Sequence, residues 1–158
     1  MKTACSYYIR TFELVIFFSL ALLSCKDPTK RSESEIRAIV DQENTGKKTA
    51  IASTDEIKVT DFFPKPIIGN KLNAEENKLV DSFLNNTSNR TKIYKIIKIV
   101  VSRSADLAYE YGENSGGYDS KKNGHVEFHN YYLRVWRKVD NIWTIDVFFQ
   151  HIPYPLPQ

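Results

Sequence analysis

Residues 131–150 narrow the fold more than any other stretch: Tyr-Tyr-Leu-Arg-Val-Trp-Arg-Lys-Val-Asp-Asn-Ile-Trp-Thr-Ile-Asp-Val-Phe-Phe-Gln. Two runs of aromatic and β-branched residues flank Asp140-Asn141, and both of these residues tolerate positive φ. The pattern predicts an antiparallel hairpin closed by a two-residue turn. In that register Val139 faces Ile142, Lys138 faces Trp143, Trp136 faces Ile145 and Val135 faces Asp146. Strict alternation then puts Tyr132, Arg134, Trp136, Val147 and Phe149 on one face, and Tyr131, Leu133, Arg137, Asp146 and Phe148 on the other. Both faces are largely apolar, so neither simply meets water. One is expected to pack on helices, the other to line a cavity or a partner subunit.

Upstream, helical periods precede strand periods. Ser32, Glu33 and Glu35 read as a helix start, with Ile36, Ile39 and Val40 at helical spacing and a stop at Asn44-Thr45-Gly46. Residues 47–69 read as irregular, with a short strand at 57–59. Asn73-Ala74-Glu75-Glu76 matches a capping box, and Leu79, Val80, Phe83 and Leu84 form a stripe, so a helix is predicted over about 74–84. From Lys92 the period becomes two, with Ile93, Ile97, Ile99 and Val101 on one face and Tyr94, Ile96 and Val100 on the other. A strand is predicted at 107–112, a flexible Gly-rich connection at 113–124, and a long strand at about 126–138. Helices followed by antiparallel strands predict an α+β domain with the helices on one face of the sheet.

The N-terminus is set apart from the fold. Lys2 and Arg10 precede an apolar run at 14–23, about half of the roughly 20 residues that a spanning helix needs. The run ends in Leu22-Leu23-Ser24-Cys25, which resembles a bacterial lipoprotein signal, and implies lipidation of Cys25 after removal of 1–24. Acyl chains anchor strongly, at about 0.8 kcal/mol for each buried CH₂. Cys5 leaves with the signal and Cys25 takes the lipid, so the expected mature domain has neither disulfide nor free thiol. The expected organisation is a signal peptide at 1–24, a tether at 25–33, a domain at 34–152 and a Pro-rich tail at 153–158. Lys26 and Asp27 resemble sorting signals of outer-membrane or surface lipoproteins, which places the chain in a bacterial cell envelope, on the outer membrane or cell surface rather than the inner membrane. Losing Lys2, Arg10 and Glu13 turns a net charge of +3 into +2. With basic and acidic residues interspersed, nucleic acid is not an expected partner.

Asp106-Leu107-Ala108-Tyr109-Glu110-Tyr111-Gly112, a Gly-rich gap, Tyr132-Leu133-Arg134-Val135-Trp136-Arg137-Lys138, a turn and then Trp143 resemble the SnoaL-like branch of the nuclear transport factor 2-like superfamily. The match covers about 34–149, and its specific part is 106–149. The resemblance implies a cone of cystatin-like type, in which a curved antiparallel sheet wraps helices and leaves a pocket at its open end. It also implies dimers through the sheet in many members. Some members are isomerases, cyclases or hydrolases; many others only bind or scaffold. Two features depart from the pattern: Asn141 stands where Gly is usual, and the region before Gly69 is short and lacks the usual Asp-rich stretch.

Among site candidates, the resemblance points to Asp146 as a general base on a late strand, assisted by Tyr131. A carboxyl on an apolar face would have its pKa raised. The alternative is a structural ion pair, because Arg137 lies diagonally across the ladder. Tyr131, Arg137, Asp146 and Phe148 together are the expected ligand contacts. Arg134 is expected to stack on aromatic neighbours, and Tyr109 and Tyr111 to be core, with Glu110 on the opposite side. His125, Glu127 and His129 alternate on one strand face, but side chains two apart stand nearly 7 Å from each other, wide for a single ion. Neither a metal nor a cofactor is expected. The function expected is a membrane-anchored domain that binds a small apolar ligand or a protein partner without chemistry. The alternatives are an isomerase- or hydrolase-type enzyme using Asp146 and a structural homodimer formed through the sheet.

Overall fold

Asp27 opens the first helix by accepting hydrogen bonds from the Thr29 amide (3.0 Å) and hydroxyl (2.7 Å), ahead of a proline whose fixed φ suits the first turn. The computed structural model describes residues 27–47, 50–60, 62–69 and 71–150. The expected signal peptide, Cys25, His151 and the Pro-rich tail lie outside these. Helix α1 spans Pro28–Asn44, so it starts before the expected Ser32 and takes in residues 28–33, which were expected to be tether. The Asp-Pro-Thr cap supplies the physical reason. Ser32, Ile36 and Val40 recur every fourth residue and form the buried stripe, and Gly46 ends the segment at a φ of 68°.

The second helix, α2 (Ala74–Asn86), carries the predicted capping box in full: Asn73 accepts from the amides of Glu75 and Glu76, and Glu76 accepts from the Asn73 amide at 2.7 Å. It buries no residue completely and docks by its aromatic, the Phe83 ring meeting Tyr118 edge-to-face at 5.4 Å.

Among the described residues six strands form one sheet: β1 (Ala52–Thr60), β2 (Ile67–Ile68), β3 (Thr87–Val101), β4 (Leu107–Ser120), β5 (Gly124–Val139) and β6 (Ile142–Gln150). Their order is β2-β1-β6-β5-β4-β3. The four late strands make an antiparallel meander, as expected, but β1 runs parallel to β6, so the sheet is mixed. Interrupted registers in β1, β3 and β5–β6 add local twist and bend the sheet around α1. Among the described residues no helix is long and apolar enough to cross a membrane.

Four local readings change. The segment 47–69, expected to be irregular with a short strand at 57–59, holds β1 and β2, which pair with each other. Residues 113–120 continue β4 instead of forming a flexible connection. Their glycines serve close strand approach: a Cβ on Gly116 would stand 2.1 Å from the Thr91 carbonyl oxygen. In β3, the register shift between Ile96 and Lys98 lets Tyr94, Ile96, Ile99 and Val101 all reach the core, mixing the two predicted faces. In the hairpin, Asp140 and Asn141 take φ of 49° and 63°, and Trp136 pairs with Ile145 as predicted. Beyond that point Val135 pairs with Val147, so Asp146 is an extra residue. The phase of β6 flips there. Phe148 and Gln150 turn inward, while Phe149 points outward and is 47% exposed.

The core lies between α1 and the concave face, where Ile36 and Val40 meet Trp136, Trp143, Ile145 and Phe148. Burying each such aliphatic side chain contributes about 1.5–3 kcal/mol. Two acids on α1 fix the helix on the sheet. Glu35 accepts from Lys138 (2.7 Å) and from the Trp143 indole (3.0 Å), and Glu43 holds Arg134. Asn44 adds a reciprocal pair with the Tyr94 backbone, both bonds at 2.7 Å.

Candidate functional site

Alternation along β5 sends Tyr132, Arg134 and Trp136 inward, so an arginine stands in the middle of an aromatic floor. Arg134 is 1% exposed and grips Glu43 with both terminal nitrogens, at 2.8 and 3.2 Å. This bidentate fork is the strongest geometry available to such a pair. The guanidinium lies 4.1 Å from the Tyr94 ring centre and 5.4 Å from that of Phe148. Cation–π attraction therefore adds to the ion pair.

Directly opposite Arg134 on β4 stands Glu110, 0% exposed. Its two oxygens are both occupied, one by the Tyr132 hydroxyl and the other by the Trp136 indole N–H at 2.7 Å. Burial raises the Glu110 pKa, and the neighbouring Arg134 charge works against that rise. Burial likewise lifts Tyr94 to about 12 and moves Tyr132 upward.

Beside this network lies a cavity of about 220 Å³, walled by Glu43, Lys58, Tyr94, Arg134, Ile145 and Phe148. Glu56 also borders it, 3% exposed and 3.4 Å from the Lys58 ammonium. Lys92 reaches over from β3. The residue is exposed as a whole, and its ammonium lies 4.6 Å from the Tyr94 ring centre and 2.8 Å from the Gln150 side-chain oxygen. Burial of that ammonium, with Arg134 nearby, lowers its pKa to about 8. The carboxylates of Glu43 and Glu110 are committed to donors already present. The site can hold and orient a small molecule against rings and fixed charges.

The residues expected from the sequence divide between the two faces. Phe148 is on the cavity wall. Arg137 and Asp146 meet at 2.7 Å on the convex side, and Tyr131 there is 63% exposed. The structure therefore does not bring these four residues together. Tyr109 and Tyr111, expected as core, point outward at 42% and 37% exposure, and Glu110 takes the inward position. His125 contacts Asp119 at 2.7 Å and His129 contacts Glu113 at 3.5 Å. No group of three metal-ligating side chains occurs among the described residues. Glu43, Lys58, Lys92, Tyr94 and Glu110 were not singled out as site residues. Pairing β4 with β5 in register would have placed Glu110 across from Arg134; Glu43 carried no local signal.

No protein-family model matches the chain, and no curated protein matches it by sequence. Solved structures do. The chain is similar to a nuclear transport factor 2-like protein of unknown function from Pseudomonas putida, with a TM-score of 0.56 and 13% identity over 81% of this chain and 91% of that one. A ketosteroid isomerase-like protein from Erwinia carotovora atroseptica gives a TM-score of 0.53 at 18% identity, covering 78% of this chain and 94% of the other. A domain of unknown function with a cystatin-like fold from Nostoc punctiforme gives 0.51 at 18% identity, covering 81% of each. At these identities the likeness establishes the fold: an α+β, nuclear transport factor 2-like and cystatin-like architecture.

Proposed function

We propose that this chain is a lipid-anchored bacterial envelope protein of the SnoaL-like type, whose concave pocket binds a small, largely apolar molecule without transforming it. The observation that carries the pocket reading is the 220 Å³ cavity beside Arg134, walled in part by Tyr94, Ile145 and Phe148. Aromatic walls with a few fixed polar groups are the usual make-up of small-molecule sites. Glu43 and Glu110 have their hydrogen bonds already filled, and Glu56 faces the Lys58 ammonium at 3.4 Å, which favours binding over proton transfer. The Asp146–Arg137 pair is assigned a structural role on the convex face. Saturation-transfer NMR with a mixture of neutral apolar fragments tests the reading: transfer to at least one fragment supports it, and no transfer to any fragment contradicts it.

Anchoring rests on Leu22-Leu23-Ser24-Cys25. Cys25→Ala is expected to move the protein from the membrane to the soluble fraction and to remove the lipid mass from the intact protein. Unchanged partitioning would contradict lipidation at this residue. The envelope location, with Lys26 and Asp27 as sorting residues, belongs to the same proposal.

A second reading concerns the convex face. Tyr111, Leu133 and Phe149 form one cross-strand row, and each is at least 37% exposed. A contiguous apolar surface of this kind suits a self-complementary interface. Light scattering is expected to give a dimer mass that Leu133→Glu converts to a monomer; a native monomer at micromolar concentration contradicts it.

A further inference from the structure

We infer that the floor of the concave face, between β3, β4 and β5, is a subsite for a small 2-hydroxy carboxylate. It rests on the pocket reading above and adjoins that cavity through Tyr94 and Phe148, which wall the cavity and lie under the Lys92 ammonium. Three observations converge on it. Asn114 is 0% exposed, and neither its amide nitrogen nor its amide oxygen has a hydrogen-bond partner. Asn130, its direct cross-strand neighbour, is 5% exposed with an unpartnered amide nitrogen. Buried amides are nearly always paired, and leaving them unpaired is costly. Finally, Arg134 and Lys58 each meet a carboxylate, Glu43 and Glu56, whereas Lys92 has only the Gln150 amide oxygen among the described residues.

The ladder gathers these groups. Asn114 pairs with Tyr94 on one side and Asn130 on the other, and Lys92 is two residues from Tyr94 on the same face. The unfilled inventory is then two amide donors, one ammonium and one amide acceptor. A carboxylate supplies acceptors for the donors, and a neighbouring hydroxyl donates to the Asn114 oxygen. The rings of Tyr94 and Phe148, over which the Lys92 ammonium lies, take the apolar substituent. A neutral amide would leave the ammonium without a counter-charge. A plain carboxylate would leave the Asn114 oxygen unpaired.

Calorimetric titration of the full chain in detergent micelles with lactate, propionate and propionamide tests the assignment. Lactate is expected to bind more tightly than propionate, and propionamide least. Lys92→Met, at a residue exposed as a whole, is expected to lose about tenfold or more of the lactate affinity. Asn114→Leu, if circular dichroism shows it folded, is expected to lose a similar amount. Affinity should also fall as pH rises through about 8, where Lys92 loses its proton; Arg134, Lys58, Glu43 and Tyr94 surround it, and Tyr94 titrates only near 12. Equal binding of lactate and propionamide, or unchanged affinity in Lys92→Met, overturns the subsite. If neutral fragments bind and none of the acids does, the subsite falls and the pocket reading stands. If nothing binds, both fall.

Discussion

Arg134→Leu is expected to destabilise the domain by about 3–5 kcal/mol in urea unfolding, because it removes one partner of a buried ion pair and leaves the other uncompensated. Glu43 loses both of its charge-assisted bonds, and Glu110 loses the cation that counters its burial. Arg134→Lys keeps the charge but not the fork, so its loss should be smaller. The effect has a definite pH dependence. Burial raises the folded-state pKa of Glu110 above its ordinary value. An acid raised in the native state favours folding below its unfolded pKa, and that contribution disappears as pH rises through the folded value. Removing Arg134 pushes the folded value higher still. The Arg134→Leu defect should therefore shrink as pH is lowered from 7 towards 4 and Glu110 becomes neutral in both proteins. A defect that grows on acidification would contradict this account of Glu110.

Trp136→Ala is expected to cost about 3–5 kcal/mol, in the range for emptying a large aromatic site in a packed core. Trp136 is 0% exposed, packs within the cluster that receives α1, and donates its indole N–H to Glu110 at 2.7 Å. Trp136→Phe separates the two contributions. It retains most of the ring and deletes the donor, leaving one oxygen of a buried carboxylate unpaired, at about 1–3 kcal/mol. Finding Phe as damaging as Ala would mean that the hydrogen bond outweighs packing at this position. Finding Phe neutral would mean that Glu110 does not depend on the indole. In both variants, near-ultraviolet circular dichroism should show whether the remaining aromatic floor is still ordered.

The fold was legible where its determinants are local. The Asp140-Asn141 turn, the capping box at Asn73 and the hairpin register as far as Ile145 follow from side-chain chemistry within a few residues. The bulge at Asp146 does not. Which residue a strand leaves unpaired depends on curvature around α1, and the unpaired position decides that Phe148 and not Phe149 faces the cavity. The glycines of β4 were ambiguous for a similar reason, since a close strand approach and a flexible loop both favour glycine. The parallel pairing of β1 with β6 joins segments about ninety residues apart and leaves no local mark.

The candidate site was legible only in part. Arg134 among aromatics was visible in the alternation of β5, as was the Arg137–Asp146 diagonal. The partners that define the inner site come from four other elements: Glu43 from α1, Lys58 from β1, Lys92 and Tyr94 from β3, and Glu110 from β4. Their approach depends on tertiary packing, which periodicity does not encode. Tyr-Glu-Tyr at 109–111 illustrates the point. Hydrophobicity alone puts the tyrosines inside, whereas the Trp136 indole and the Tyr132 hydroxyl make the inward position one for a carboxylate.

On the proposed reading, the concave face holds the functional site. Backbone-amide NMR of the isotopically labelled full chain, titrated with lactate and with a neutral fragment that gives saturation transfer, tests it most directly. The predicted result is that perturbed amides map to the concave wall around Lys58, Lys92, Tyr94, Asn114, Arg134 and Phe148, with residues 131, 137 and 146 unmoved. Perturbations centred on Tyr131, Arg137 and Asp146, with the concave wall silent, would contradict it.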